Sequence, residues 1–303
     1  MKFSIWPNSE RPWAEVSTLA STIERDGWDG LWYADHYMPN TPDGEPAGGD
    51  MHECFSVLSA LAATTSRLRL GSLVTPTTIN HPALIANRAA TIDRISGGRF
   101  VLGMGAGWQV NEHAAFGIDL LGNGPRVDRF EEAIEIVSRM LTEDRVTFSG
   151  NHFTISNAPC EPKPVQSPLP ILVGTGGPRM LRITARFAQE WNTWGTPETA
   201  GAVMKNFVAA CEKENRDPAS MRKSVQALVF ITADESSAES LRPKVPADRS
   251  IVGTPEQLVT EVQKYADLGF DEVCVPDFTL GGSAAQRLDA YGTFWSQVAA
   301  HIN

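Results

Sequence analysis

The sequence predicts a (β/α)8 TIM barrel with two insertion loops, and three observations carry that prediction. Eight short apolar runs recur along the chain, helical patterns separate them nearly from end to end, and 303 residues suit eight strand–helix units plus insertions. Runs that are apolar at successive positions belong in strands covered on both faces, as in a parallel sheet. A doubly wound open sheet is the competing architecture, but it calls for a dinucleotide fingerprint that this chain does not complete. Residues 1–303 therefore read as one barrel domain.

In order, strands are expected at 3–6, 31–34, 68–74, 100–105, 170–174, 191–194, 225–231 and 272–276. The first helix is expected over 12–26. Pro12 opens it, Trp13, Val16, Ala20 and Ile23 form one apolar stripe, and Gly27 ends it. The spacing of Val127, Phe130, Ile134, Val137 and Leu141 predicts a helix over 126–141. His81-Pro82 reads as a helix start, and Thr254-Pro255-Glu256-Gln257 as a capping box before a helix stopped by Gly269. The insertions are 36–53, rich in Pro and Gly, and 144–169. In the second, Val146-Thr147-Phe148 and His152-Phe153-Thr154-Ile155 flank Ser149-Gly150-Asn151 as the arms of a hairpin.

Composition narrows the function classes. Twenty-six Lys and Arg against 36 Asp and Glu leave a formal charge of −10. Non-specific nucleic-acid binding needs a basic face, so small molecules are the expected partners and nucleic acid is not. The 4 cysteines are too scattered for a disulfide scaffold or a zinc ribbon, which makes a reducing cytoplasm the expected compartment. No spacing of His and Cys suggests a metal. The start, Met1-Lys2-Phe3-Ser4-Ile5-Trp6-Pro7, does not read as a signal peptide. No apolar run approaches the roughly 18 residues of a membrane span.

In a barrel the C-terminal strand ends converge on one site. Here they supply Trp6, Asp35-His36, Ser72-Leu73-Val74-Thr75, Gly105-Ala106-Gly107-Trp108, Gly174-Thr175-Gly176-Gly177, Trp194, Phe230 and Pro276-Asp277-Phe278. Aromatic walls, glycines and few titratable groups suit a flat, partly apolar cofactor better than hydrolysis. Pro178 opens a helix to about 189 just after the glycines, so its free N–H groups and positive end predict an anion site, with Arg179 or Arg126 as helpers. The run 103–108 departs from GxGxxG at Trp108, and its glycines read either as a cofactor approach or as a tight turn. Asp35-His36 reads either as a proton-handling pair or as a cap and a loop histidine.

These motifs resemble the bacterial luciferase-like superfamily, in its deazaflavin (coenzyme F420)-dependent oxidoreductase branch. The resemblance runs through GWDGLWYADH at 27–36, LRLGSLVTP at 68–76, IDRISGGR at 92–99, LGMGAGW at 102–108, ILVGTGGP at 171–178 and VGTPE at 252–256. It implies hydride transfer between coenzyme F420 and a small organic substrate. The alternatives on the same fold are a monooxygenase using reduced FMN and a non-catalytic flavin- or deazaflavin-binding protein. It also implies a non-prolyl cis peptide at Ser72-Leu73 backing the ring. Asp35, Val74 and Thr75 would line the ring, Ala106, Gly107 and Trp108 would flank it, and Gly174, Thr175, Gly176 and Gly177 would hold the phosphate. His36 falls where relatives place a residue facing the reacting carbon, with Asp35 beside it. Trp108 stands where the sugar-phosphate branch carries an acidic residue, which leaves Glu112 as the nearest substitute carboxylate and argues against sugar-phosphate oxidation. Trp6, Trp108, Trp194 and Phe278 are the expected substrate walls, and the resemblance implies a homodimer.

Overall fold

The computed structural model describes residues 1–302. Its centre is a closed ring of parallel strands: β1 (Lys2–Trp6), β2 (Gly30–Tyr33), β3 (Arg69–Ser72), β4 (Phe100–Gly105), β5 (Ile171–Gly174), β6 (Glu190–Trp194), β7 (Arg222–Gln226) and β8 (Glu272–Pro276). Each strand pairs with its chain neighbours, and β8 closes on β1 with Lys2 opposite Glu272 and Trp6 opposite Pro276. The barrel reading therefore holds over the open sheet.

Alternation along the strands sorts two cores. Phe3, Ile5, Leu31, Tyr33, Val225 and Val273 point outward into the layer beneath the helices. Trp6, Trp32, Ala34, Leu73, Val101, Leu172 and Cys274 fill the barrel interior. The interior floor is charged rather than apolar. Arg69, Glu190, Arg222 and Glu272, each at a strand start, meet there in ion pairs.

The outer layer follows local capping rules. Helix α1 (Trp13–Asp26) ends on Gly27 at φ 105°, and α2 (Cys54–Thr64) is capped by Glu53. Helix α3 (Pro82–Ser96) begins with the His81 side chain accepting from the Ala83 N–H. Next come α4 (Val110–Phe116) and α5 (Asn123–Thr142); the latter begins three residues before the predicted start. Helices α6 (Pro178–Phe187), α7 (Pro197–Lys213), α8 (Glu235–Leu241), α9 (Pro255–Asp267) and α10 (Ala284–Gln297) complete the chain. The predicted capping box at Thr254 and Gln257 is present on α9. The hairpin is present as Val146–Ser149 against Thr154–Ala158. Glu132 on α5 holds its tip by accepting from the N–H groups of Asn151, His152 and Phe153.

One strand differs from the expectation. The run 225–231 breaks at Ala227: Arg222–Gln226 stays in the barrel, while Leu228–Ile231 leaves it to pair with Ser250–Gly253. The barrel part begins on Arg222 because that charge is paired with Glu272, so hydrophobicity signals the strand three residues late. Among the described residues no helix is long and apolar enough to cross a membrane.

Candidate active site

A cavity of about 760 Å³ opens at the C-terminal mouth of the barrel. Its volume lies within the few hundred to about 1,000 Å³ usual for small-molecule sites.

The floor is built by Val74. Strand β3 ends at Ser72, whose hydroxyl bonds both the carbonyl and the N–H of Gly103 and so ties β3 to β4. A Cβ on Gly103 would run into the Ser72 carbonyl, so only glycine permits this approach. The Leu73 N–H still bonds the Tyr33 carbonyl (2.8 Å), continuing the ladder to β2, and the chain turns only afterwards. The non-prolyl cis peptide accordingly lies at Leu73–Val74, one bond later than Ser72-Leu73. Val74 then projects between glycines: a Cβ on Gly105 would meet it at 2.6 Å and one on Gly174 at 3.2 Å.

One wall of the cavity joins distant segments. His36 follows β2, and its Nδ1 lies 3.1 Å from Glu112 Oε1 across 76 residues. Glu112 is buried in the first turn of α4, where the positive helix end favours a carboxylate, and its Oε2 accepts from the Tyr37 N–H (3.0 Å). The insertion after β2 is stitched to α4 by Gln109 and Asn111, which donate to the carbonyls of Met38 and Pro39 (2.9 and 2.8 Å). His113 fastens the other side of α4 through the Gln109 carbonyl and Thr78 Oγ1. Trp108 lies edge-on to the His36 ring, with centroids 5.5 Å apart. Nε2 of His36 makes no hydrogen bond to the described residues, and His36 lines the cavity.

At the rim, Gly174, Thr175 and Gly176 line the cavity and lead into α6. No side chain caps α6; Pro178 has no N–H and the Gly177 N–H bonds Thr175 Oγ1, so the N–H groups of Arg179 and Met180 remain available to an anion. The facing wall is aromatic: Trp6 lies 5.5 Å from Trp194 and 5.1 Å from Phe278.

Of the expected residues, Trp6, His36, Leu73, Val74, Gly107, Trp108, Glu112, Gly174, Thr175, Gly176, Trp194 and Phe278 line the cavity. Others do not. Ser72 is spent on the Gly103 contact, Thr75 is fully buried, Ala106 packs on the outer core, and Gly177 is exposed at the α6 cap. Asp35 is fully buried behind the wall, where Asn80 donates to Oδ2. The Arg helpers are committed elsewhere: Arg179 to Asp128 and Glu131, Arg126 to Asn123. Phe230 gives way to Gln226 because the barrel strand ends four residues earlier. With that boundary known, the strand-end rule finds Gln226; its Oε1 is buried without a partner. Met38, Met51 and Arg249 come from loops and carry no sequence signal. Among the described residues no group of His, Cys, Asp or Glu gathers as a metal site.

Burial pushes the Asp35 carboxyl up to about 7, with the Glu53 charge adding to the rise and His36 opposing it. The folded state therefore binds an extra proton between the ordinary carboxylate range and pH 7. Asp35's favourable contribution is full below about pH 4 and is lost as pH rises to about 7. Asp35→Asn removes that loss. Relative to the parent chain, its melting temperature rises at pH 8 compared with pH 5 by a few degrees, at roughly 1.5–2 °C per kcal/mol for a chain of 303 residues. Paired thermal melts at the two pH values check it, and parallel curves would refute it.

A family model described as a luciferase-like monooxygenase matches residues 1–245. An F420-dependent glucose-6-phosphate dehydrogenase from Microbacterium testaceum (strain StLB037) is 29% identical, over 92% of this chain and 91% of that protein. A protein of the same description from Kineococcus radiotolerans (strain ATCC BAA-149 / DSM 14245 / SRS30216) is 34% identical, but the match spans 57% of this chain and only 50% of that protein. The solved structure of an F420-dependent secondary alcohol dehydrogenase in complex with an F420–acetone adduct shares the fold, with TM-score 0.84 at 18% identity over 100% of this chain and 99% of that one.

Proposed function

Because the chain belongs to the luciferase-like monooxygenase family, we propose that it is an oxidoreductase that transfers a hydride between coenzyme F420 and a small organic substrate. The observation that carries this reading is the His36–Glu112 pair opening on the same cavity as the uncapped glycine loop at 174–176. The donor set fits a flat deazaflavin bearing a phosphate. Val74, held between Gly105 and Gly174, offers a platform for a ring, and the start of α6 offers N–H donors to an anion. Gln226 Oε1 is a buried acceptor still without a partner.

When bound, the deazaflavin supplies the two-electron chemistry. The protein's own residues do the rest. Glu112 fixes the His36 ring through Nδ1, which leaves Nε2 to take or give the proton that accompanies hydride transfer. Trp108 packs on that ring, and Trp6, Trp194 and Phe278 shield the opposite side from water. The Gly107 backbone, at φ 90°, lets the chain pass close to the cavity, where a Cβ would strike Thr78 Oγ1.

Absorbance titration with F420 and with FMN tests the reading. F420 is expected to saturate the protein at lower concentration than FMN, and its reduced complex is expected to persist in air. Tighter FMN binding with oxygen consumption by the reduced complex would instead establish the monooxygenase chemistry.

A further inference from the structure

We infer that the substrate of this site is an uncharged alcohol, or its carbonyl partner, carried on a flat apolar body, and not a phosphorylated sugar; the inference rests on the F420 reading above. The first support is the ionisable inventory of the cavity. Among the described residues that line it, only Glu10, His36, Glu112 and Arg249 can carry charge, and no lysine is among them. Arg249 is already engaged by Asp248 through two contacts of 3.1 and 3.2 Å. Glu112 is engaged by His36 and the Tyr37 N–H. A phosphate dianion is normally held by bidentate Arg or by clustered cations. Here it would meet a single arginine, Arg249, already shared with Asp248, and two carboxylates in a chain of net charge −10. The uncapped start of α6, the remaining anion-binding feature at this mouth, is taken by the cofactor's own phosphate in the reading above.

The second support is the apolar surface left open to solvent. Trp108 is 58% exposed and Phe278 43% exposed, on opposite sides of the mouth. Phe278 extends the tilted cluster with Trp6 and Trp194, and Trp108 covers the edge of the catalytic imidazole. Aromatic side chains flank the mouth on both sides with His36 beside one of them, which favours a flat apolar body, whereas the charged group of a phosphorylated sugar would be desolvated against them. Met38 and Met51 add unbranched, adaptable side chains on the loop side.

The chemistry balances with one co-reactant. In the oxidising direction the carbinol C–H bond breaks with its electron pair passing to oxidised F420. The O–H proton passes to His36 Nε2, and the C–O bond becomes C=O. Carbonyl reduction is the same step reversed, with reduced F420 supplying the hydride and His36 the proton.

The test is isothermal titration calorimetry on the F420-loaded protein with acetophenone, cyclohexanone and glucose 6-phosphate, followed by turnover with the matching alcohols. At least one apolar ketone is expected to bind saturably, and glucose 6-phosphate to give no saturable heat at the same concentrations. Phe278→Ala should weaken ketone binding about tenfold, a change of about 1.4 kcal/mol, while the F420 dissociation constant stays the same. Saturable binding or oxidation of glucose 6-phosphate, or no binding by either ketone, overturns the substrate inference and leaves the cofactor reading intact. Failure of F420 itself to bind shows as a flat absorbance titration before any substrate is added, and overturns the cofactor reading and the inference built on it.

Discussion

His36→Ala lowers kcat by roughly 10²- to 10⁴-fold, the usual contribution of a positioned general acid or base, while the F420 dissociation constant is nearly unchanged. The geometry sets both halves of that expectation. The imidazole is held by a buried carboxylate 3.1 Å away and lies against Trp108, and its Nε2 makes no hydrogen bond among the described residues. The glycine-rich segment at 174–176 and the Val74 platform lie on other strands and do not depend on His36 for their shape. Glu112→Gln should lower kcat by a smaller factor, because the amide can still accept from the Tyr37 N–H but no longer carries the charge that holds the ring. Steady-state rates with a substrate found by calorimetry, together with absorbance titration of each variant, decide the matter. Unchanged turnover in His36→Ala would remove His36 from the chemistry.

Glu272→Ala is expected to destabilise the fold by about 3–5 kcal/mol, the range for breaking a buried ion-pair network by removing one partner. Glu272 is 2% exposed, accepts hydrogen bonds from three side chains and forms an ion pair with a fourth. Ser4 Oγ and Trp32 Nε1 bond one oxygen at 2.6 and 2.7 Å, Arg222 bonds the other at 2.9 Å, and Arg69 stands 3.5 Å away. Removing the carboxylate leaves the Arg222 guanidinium without its partner and leaves Glu190 as the single counter-charge to Arg69 at the barrel floor. Burial alone would raise the Glu272 carboxyl, but Arg69 and Arg222 outweigh it and hold it below the usual glutamate range. Its contribution is therefore present above the ordinary glutamate value of about 4.3 and is lost as pH falls through the lower folded value. Denaturant unfolding at pH 7 should show a lower midpoint with an unchanged slope. A loss under about 1 kcal/mol would mean that water replaces the carboxylate at little cost.

The same network marks where the sequence stopped being legible. Hydrophobic runs located all eight strands, because a strand buried on both faces must be apolar along most of its length. They placed the starts of β6 and β7 late, since Glu190 and Arg222 look like loop charges until their partners across the barrel are known. Turn and cap chemistry was readable wherever it is local: Gly27, His81 and Thr254 do what their neighbours require of them. Asp35 was not readable in this way. Its neighbour His36 reaches the cavity while Asp35 turns behind the wall, because successive residues at a strand end point to opposite sides.

By itself the sequence determined the barrel, the order of its strands and the glycine-rich strand ends that run into loops after 105 and 174, all of which follow from periodicity and backbone freedom within a few residues. Only the tertiary structure decided which strand-end groups share the cavity. It brought Glu112 to His36 across 76 residues and moved the cis peptide to Leu73–Val74. It also turned Arg179 away onto α5 and ended β7 at Gln226. The reason is physical: a local pattern records what each residue's own backbone and burial demand, whereas an ion pair or a cavity wall depends on the distance between segments, which barrel closure alone sets.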